Sequence, residues 1–338
     1  MDELKDKGFQ VNKIGFVAIV FALFTMFVAC ETVSEKKAPA NKKVSVVATI
    51  YPQYDWLKNV IGERADAVNL ELLVKNGADL HSYQPSAQDI AAIANADLVV
   101  YVGGESDGWI EKALAATPKE GRVVLNMMKV LGDRVKEEEV MEGMEHGHHE
   151  HGEAHAEEVE NDEHIWLSLK NAEMMVKSLA ESIAKLDTAH ATEYRMNAAL
   201  YIAKISALDA QYRTATNSAT YKTVLFGDRF PFRYLVDDYG IKYYAAFAGC
   251  SAESEASFET VTFLAGKMDS LMLPAIFTIE GSDGKIARAI LDASKKSKNA
   301  EVLTLNSMQS VTDEQIKAGA DYLSIMRDNL EVLKKAIK

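Results

Sequence analysis

The strongest constraint on the fold of this chain is an alternation of short β-branched runs with helical patterns, which begins at residue 44 and occurs twice. In the first half, the apolar runs predict buried strands at residues 44–49, 68–73, 97–102 and 122–126. Segments with apolar residues spaced three and four apart lie between them and predict amphipathic helices. Strands that alternate with helices form a parallel sheet covered on both faces. The first half therefore predicts one α/β lobe.

The alternation resumes in the second half, with predicted strands at residues 221–226, 241–247, 274–279 and 301–305 and a closing helix near the C-terminus. Between the halves, residues 188–216 contain no Pro or Gly. Their apolar stripe has helical spacing and consists of Tyr194, Ala198, Tyr201, Ile205, Leu208 and Tyr212. We therefore predict an α/β protein of two lobes, residues 44–187 and 217–338, each with a four-stranded parallel sheet flanked by helices. One long rigid helix joins the two lobes.

The N-terminus has the layout of a secretory signal. Three lysines precede an apolar run at residues 14–29, and small residues lead to Cys30. The run is short for a membrane span, which needs ~20 residues. It predicts a signal peptide at residues 1–29, a lipid-modified Cys30 anchored to the bacterial cell membrane, and a polar tether at residues 30–43. A plain uncleaved anchor is the alternative. If Cys30 carries lipid, Cys250 is the only other thiol, so stability must come from a packed core.

Residues 136–163 form an acidic, histidine-rich segment with little apolar content, for which we predict disorder. Twelve carboxylates and no Lys or Arg lie between residues 137 and 163, and five of the eight histidines lie between residues 145 and 155. Most of the net charge of −13 therefore belongs to this segment. The sequence shows no cluster of basic and aromatic residues that would indicate a nucleic-acid partner. Scattered imidazoles there would bind zinc weakly, as a scavenger, as a sensor or only incidentally.

Polar side chains with metal-ligand chemistry follow several of the predicted strands. In a parallel α/β lobe, ligands collect beyond the carboxyl ends of the strands. His81, Asp228 and Cys250 follow strands, and His164 lies just after the acidic segment. Further polar residues at such positions are Glu255, Glu280 and Asn306. Two imidazoles, a carboxylate and a thiolate suit a tetrahedral ion such as Zn²⁺. From their spacing alone, these residues could equally well form a metal site or be unrelated loop residues.

Two motifs carry a resemblance to a known family. GADLHSYQPSAQDI, with His81, is similar to the pattern G-x-D-x-H-x-Y-x-P-S-x-x-D, and DEHIWLSLKNA, with His164, is similar to D-P-H-x-W-x-x-P-x-N. VGGESDGWIEKAL and the closing helix DYLSIMRDNLEVL resemble further segments of the same family. Over residues 44–336 the chain resembles the zinc- and manganese-binding solute receptors of ABC importers. The resemblance implies a receptor and not an enzyme, with His81 and His164 as the first two metal ligands.

The second lobe departs from that pattern at the remaining two ligands. The usual third ligand lies five residues before a Tyr, and with Tyr234 this position is Arg229, a cation. Asp228 beside it is the substitute that we predict. The usual fourth ligand, an Asp, is replaced by Asn306, so we predict Cys250 in its place. The competing candidates are Glu255, Glu280 and water.

The resemblance implies that the protein captures a divalent metal ion between its lobes and delivers it to a membrane permease driven by an ATPase. In that family a histidine-rich loop before the second ligand is associated with zinc, so Zn²⁺ is the expected cargo and Mn²⁺ the alternative. We expect an extracytoplasmic monomer held at the membrane by the lipid on Cys30. A zinc-dependent hydrolase is the rival class, with Glu255 or Glu280 as the base, but the chain has no HExxH motif. The sequence is silent on a role as a surface adhesin.

Overall fold

A computed structural model describes residues 43–144, 160–251 and 255–338 of the chain. Within that part, all eight predicted strands are confirmed. Outside the described residues lie the predicted signal peptide (1–29), Cys30, the tether up to residue 42 and the histidine cluster (145–155). No helix in the described ranges has both the length and the hydropathy that spanning a membrane requires.

The first lobe alternates strands and helices as predicted. In chain order its elements are β1 Val44–Ala48, α1 Tyr51–Ile61, β2 Val68–Leu72, α2 Ala87–Asn95, β3 Leu98–Tyr101, α3 Trp109–Ala116, β4 Val123–Asn126 and α4 Met127–Leu131. The strands are all parallel and lie in the order β2-β1-β3-β4. Val46 and Ala48 face one core and Val47 the other, since successive strand residues point to opposite faces. The loop after β2 therefore opens at the carboxyl edge of a sheet that is covered on both sides.

Two helices follow the first lobe and pack along each other, α5 Leu169–Leu186 and α6 Ala191–Asn217. The linker helix predicted at residues 188–216 is confirmed, with a short 3-10 turn at Thr188–His190 before α6. With 27 residues, α6 is about 40 Å long. Its predicted apolar stripe is buried, and each of the six residues is at most 4% exposed. Because one face is packed along its length, α6 acts as a rigid spine.

The second lobe repeats the arrangement of the first. Its elements are β5 Thr223–Phe230, α7 Arg233–Tyr239, β6 Lys242–Ala248, α8 Phe258–Leu271, β7 Ala275–Ile279, α9 Lys285–Ala293, β8 Glu301–Leu305, α10 Asp313–Lys317 and α11 Tyr322–Ile337. The strands are parallel in the order β6-β5-β7-β8. Strand β5 runs beyond its predicted end because pairing with β6 resumes at Arg229 after an irregularity that follows Phe226. Asp228 therefore lies within the strand, and its predicted position in a loop is wrong.

One hydrophobic core runs through both lobes. It contains the inner faces of both sheets and the buried sides of α1, α5, α6 and α11, whereas each outer face has a smaller separate cluster. Helix α11 crosses back to the first lobe, where the N–H of Tyr322 and the hydroxyl of Tyr201 donate to Asp55 Oδ2 at 3.1 and 3.2 Å. The indole N–H of Trp166 donates to the carbonyl oxygen of Ser307 at 2.8 Å. Because the lobes share these contacts, large hinge motions would expose core surface.

The acidic segment is ordered at both ends, so the disorder predicted for all of residues 136–163 is wrong there. Glu137 and Asn161 form an antiparallel bridge. The hydroxyl of Tyr234, in the second lobe, accepts a backbone N–H from one flank at 2.9 Å and donates to a carbonyl of the other at 2.8 Å. Amino-acid composition does not reveal this order, because the contacts with Tyr234 are made by backbone groups, which every residue carries. Residues 145–159 lie outside the described part of the chain.

Candidate metal centre

His81 lies on a short 3-10 turn, Leu80–Ser82, in the loop that follows β2. Asp79 caps this turn, because its Oδ1 accepts the backbone N–H of His81 at 3.0 Å. Nδ1 of His81 lies 2.6 Å from the hydroxyl oxygen of Ser106, whose N–H donates to Glu163 Oε1 at 2.8 Å. The imidazole is thus oriented by a serine that is itself held by a carboxylate.

His164 lies at the end of the acidic segment, directly before the 3-10 turn Ile165–Leu167, and it is fully buried. Oδ1 of Asp162 accepts the backbone N–H of His164 at 2.9 Å and also lies 3.0 Å from its Nδ1. An ionised carboxylate only accepts hydrogen bonds, so beside Asp162 a neutral imidazole carries its proton on Nδ1 and leaves the Nε2 lone pair for a metal ion. Carboxylate–imidazole pairs of this kind orient the histidines that bind metals.

The two imidazoles face each other, with their Nε2 atoms 3.1 Å apart. Two nitrogens bound to one tetrahedral zinc ion, each at ~2.0–2.1 Å, would lie about 3.3 Å apart. One ion can therefore take both lone pairs with little movement of either ring. The structure thus brings His81 and His164 together in a geometry that a metal ion can use.

Cys250 reaches the same point from the second lobe. It lies in the turn after β6, it is a free, partly buried thiol, and its N–H donates to Glu138 Oε1 at 3.1 Å. The potential donor atoms of His81, His164 and Cys250 all lie within 4.8 Å of one another. Within the described residues, this is the one group of three or more such side chains close enough to share an ion.

Burial shifts the pKa values in this group toward uncharged forms. Burial and the neighbouring His164 lower the pKa of His81 to about 3, so its imidazole is neutral near pH 7. Burial, and then the carboxylates of Glu138 and Glu163, raise the pKa of the Cys250 thiol well above its ordinary value. A coordinated thiol is deprotonated by the ion. The thiol therefore holds a proton that a bound cation would displace.

The other sequence candidates lie outside this group. Oδ1 of Asp228 accepts the N–H of Arg229 at 2.9 Å, and its buried Oδ2 has no hydrogen-bond partner in the part of the chain that is described. Glu255 is exposed. Glu280 and Asn306 accept backbone N–H groups of the loop that follows β8. The structure brings none of these carboxylate oxygens into the group of three.

Arg229, at the position of the expected third ligand, forms an ion pair between the lobes. Its Nη2 lies 2.9 Å from Oδ2 of Asp79, the residue that caps the His81 turn. Both side chains are partly buried. The guanidinium cannot bind a cation, but it holds the loop of the first imidazole against the second lobe.

Gln309 is one of two residues of this site that the sequence did not predict. Its Nε2 lies 2.9 Å from Nε2 of His81 and 2.5 Å from Nε2 of His164. It belongs to the segment NSMQS, in which only Asn306 was considered, because the spacing of a loop does not reveal which side chain turns inward. Asp162 was also missed, although it opens the quoted motif DEHIWLSLKNA.

Two parallel-sheet lobes on a rigid spine, with imidazoles from one lobe and a thiol from the other, define a two-lobed binding protein. The model of the family described as "ZnuA: Zinc-uptake complex component A periplasmic" matches residues 46–336, and the chain belongs to this family. The family comprises solute-binding receptors and not enzymes.

Named relatives and solved structures agree with this assignment. The zinc-binding lipoprotein AdcA of Streptococcus pneumoniae is 33% identical over 323 residues, which cover 94% of this chain and 60% of that protein. The high-affinity zinc uptake system protein ZnuA of Bacillus subtilis is 30% identical over 326 residues and covers 94% and 96%, respectively. The chain spans about three fifths of the length of its streptococcal relatives.

Among solved structures, the Zn(II)-bound ZnuA-like domain of S. pneumoniae AdcA has a TM-score of 0.67 at 28% identity, covering 87% of this chain and 99% of that one. The metal-dependent lipoprotein YcdH of B. subtilis has a TM-score of 0.70 at 28% identity, with the same coverage. The arrangement of the two lobes is therefore that of the family.

Proposed function

We propose that this protein is a receptor that binds Zn²⁺ between its lobes and delivers it to the permease of an ABC importer. The observation that carries the proposal is the pair of facing imidazoles, with Nε2 atoms 3.1 Å apart and a thiol within 4.8 Å. His81, His164 and Cys250 are the proposed ligands. The zinc-binding relatives AdcA and ZnuA support the choice of cargo.

The donor set favours zinc over manganese. Nitrogen and sulfur donors suit zinc, whereas manganese prefers the oxygens of carboxylates and water. No carboxylate of the described residues joins the three donors. The nearby carboxylates Asp162 and Glu163 orient the imidazoles, and Asp228 lies outside the group.

The protein can capture a metal ion because the proposed ligands come from both lobes. An ion bonded to His81, His164 and Cys250 links the two lobes, and binding releases the thiol proton. The shared core and α6 limit the motion to small tilts and loop shifts. Docking on a permease would release the ion by separating the thiol from the imidazoles by a few ångströms, after which the thiol regains a proton.

The proposal also includes the cellular location of the protein and the roles of the segments outside the described residues. The family is described as periplasmic, and the pneumococcal relative is called a lipoprotein. A signal peptide at residues 1–29 and a lipid on Cys30 would hold a monomer at the outer face of the cell membrane, near its permease and ATPase. The histidine cluster at residues 145–155 would bind zinc weakly. The described residues after this cluster lead directly to His164 of the main site.

The test is metal binding by the purified protein after chelation, with zinc and manganese titrated against a chromophoric competitor. We expect one tightly bound zinc ion, and a loss of affinity in His81→Ala and in His164→Ala that exceeds the roughly hundredfold loss that removing an outer-shell partner can cause. His190→Ala is the matched control, because that imidazole bonds to Asp187 at the start of α6. Wild-type zinc affinity in His81→Ala, or tighter binding of manganese than of zinc, would refute the proposal.

A deletion separates the main site from the histidine cluster. Removing residues 145–155 should abolish weak zinc binding and leave the tight site at His81 and His164 unchanged, because neither donor belongs to the deleted stretch. Loss of the tight site in the same titration would mean that the cluster supplies its ligands.

A further inference from the structure

Glu163 is a buried carboxylate beside the first imidazole. The residue is 3% exposed, and its Oε1 accepts the backbone N–H of Ser106 at 2.8 Å. Its Oε2 is buried, has no hydrogen-bond partner in the described part of the chain, and lies 3.9 Å from Nδ1 of His81. A buried charged oxygen is costly to leave without a donor, so the position of Oε2 indicates a role at this imidazole.

Glu163 is a feature of this chain and not of the motif that it resembles. The family pattern at the second histidine reads D-P-H, whereas this chain reads D-E-H, with Glu163 in place of the proline. The two adjacent carboxylates face different imidazoles. Oδ1 of Asp162 lies 3.0 Å from Nδ1 of His164, whereas Oε2 of Glu163 is directed at Nδ1 of His81.

The loop after β3 fits closely around this carboxylate. A Cβ on Gly104 would lie 2.2 Å from Oε1 of Glu163, so a larger residue would collide with the carboxylate. The two oxygens of Asp107 accept backbone N–H groups at the start of the loop, at 2.6 and 2.9 Å. The loop therefore holds Ser106 in a fixed position between Glu163 and His81.

The contacts of His81 indicate which of its nitrogens carries the proton. The amide nitrogen of Gln309 lies 2.9 Å from Nε2 of His81, and an amide NH₂ only donates, so this Nε2 accepts. The neutral imidazole then carries its proton on Nδ1, which lies 2.6 Å from the hydroxyl oxygen of Ser106. Because Ser106 accepts that N–H, its own hydrogen can turn toward Oε2 of Glu163.

The charge of Glu163 favours the same tautomer of His81. A carboxylate oxygen 3.9 Å from Nδ1 attracts an N–H at that nitrogen and repels a lone pair there. The two side chains are 10% and 3% exposed, so water and salt screen this interaction little. A cation bound at Nε2 makes the imidazole more positive, and the carboxylate on the far side of the ring compensates that charge.

We propose that Glu163 is a positioning residue that selects the zinc-binding tautomer of His81, acting through the hydroxyl of Ser106. Glu163 does not bond to the ion. In the other tautomer, the same proton is on Nε2, where it blocks the lone pair that an ion needs. The inference rests on the proposed function, but the tautomer itself is a property of the metal-free protein.

The first experiment determines the tautomer of His81 in the metal-free protein from long-range nitrogen–proton correlation spectra, with His81→Gln to assign the signals. Wild type should carry the proton on Nδ1. Glu163→Gln should shift it to Nε2, because the amide oxygen stays with the N–H of Ser106 and the new NH₂ faces Nδ1 as a donor. A proton on Nε2 in wild type, or an unchanged tautomer in Glu163→Gln, would overturn the proposal.

The second experiment is a zinc competition titration. Glu163→Gln and Ser106→Ala should each weaken zinc binding about tenfold or more. The double variant should lose less than the product of the two losses, because the first change already removes the tautomer preference. Losses that multiply would mean that the two residues act independently, which contradicts the proposal. Ser82→Ala is the control, since its exposed hydroxyl bonds to the carbonyl oxygen of Asp79.

A further control separates this effect from that of charge at the thiol. The carboxylates of Glu138 and Glu163 both raise the pKa of Cys250, so removing either charge eases the loss of the thiol proton. Glu138→Gln should therefore keep or tighten zinc binding, whereas Glu163→Gln weakens it. Equal weakening in both variants would mean that only net charge near the ion matters, and the role assigned to Glu163 would be wrong.

The outcomes separate this inference from the function on which it rests. If wild type lacks a tight zinc site, the receptor assignment fails, whereas the tautomer measurement needs no metal. The visible spectrum of the Co²⁺ form should keep the wild-type ligand set in Glu163→Gln, and loss of a ligand would refute a positioning role. Melting temperatures of the metal-free variants show whether Glu163→Gln folds. If it does not, Ser106→Ala undergoes the same measurements with the same expected directions, because it keeps the carboxylate and the backbone N–H.

Discussion

Replacing Gly249 by alanine would push on the proposed site without removing a ligand. A Cβ at this position would lie 2.9 Å from Cε1 of His164 and 2.9 Å from the carbonyl oxygen of Phe230. Ordinary contacts begin at 3.4 Å, so an overlap of about 0.5 Å must be relieved. The carbonyl belongs to β5 and the imidazole is held by Asp162, so neither neighbour yields freely. The overlap is therefore relieved only by straining the imidazole of His164 or by shifting the turn that carries Gly249 and Cys250.

This overlap sets the expected magnitude. Metal sites hold their ligand distances to about ±0.2 Å, and a displacement of about half an ångström exceeds that tolerance. We expect Gly249→Ala to weaken zinc binding by about tenfold or more. Overpacking should also destabilise the metal-free protein by about 1–3 kcal/mol.

Zinc competition titration and denaturant unfolding of the metal-free protein measure the two effects. Gly266→Ala is the matched control, because Gly266 is exposed in α8 and an added Cβ meets nothing within 4 Å. That control should gain about 0.5–1 kcal/mol from its higher helix propensity and keep its zinc affinity. Unchanged zinc binding and an unchanged Co²⁺ spectrum in Gly249→Ala would show that the ion does not lie beside His164 and Cys250.

Two further predictions concern pH. Zinc affinity should rise about tenfold per pH unit between about pH 6 and 8, because the raised pKa of Cys250 leaves a proton to displace, whereas His81, with a pKa lowered to about 3, has none to lose. Cys250→Ser should abolish this slope in competition titrations, and equal slopes would remove the thiol from the site. Burial raises the pKa of Asp55 to about 6, so in mildly acidic solution the folded protein keeps a proton that the unfolded chain has released. Folding stability contributed by this group is therefore lost as the pH rises from about 4 through 6, by on the order of 2–3 kcal/mol. Asp55→Asn should remove that component from urea unfolding measured across this range, and an unchanged profile would mean that the carboxyl titrates normally.

The strands and the spine helix were predictable because their signals are local. A buried parallel strand needs a short run of apolar, mostly β-branched residues, and VSVVA of β1 shows this without reference to any partner strand. The tyrosine stripe of α6 likewise follows from helical spacing alone. The motifs around His81 and His164 were also predictable, since in each an aspartate two residues before the histidine accepts the backbone N–H of that histidine.

Other features depended on pairing between distant segments. Asp228 lies in a strand because β6 continues to pair with β5 beyond Phe226. The sequences of these two strands do not show that register. The flanks of the acidic segment are ordered because Tyr234 of the second lobe bonds to both, although their composition is typical of disorder.

The sequence by itself determined the α/β alternation, the rigid connection between the lobes and the two histidine motifs, because these depend on residues a few positions apart. Only the tertiary structure decided which donors meet. His81 and His164 are 83 positions apart in the chain, and Gln309 is 228 positions from His81, yet their nitrogens lie within hydrogen-bond distance. Packing of the two lobes on a shared core sets such distances, and no local pattern in the chain records them.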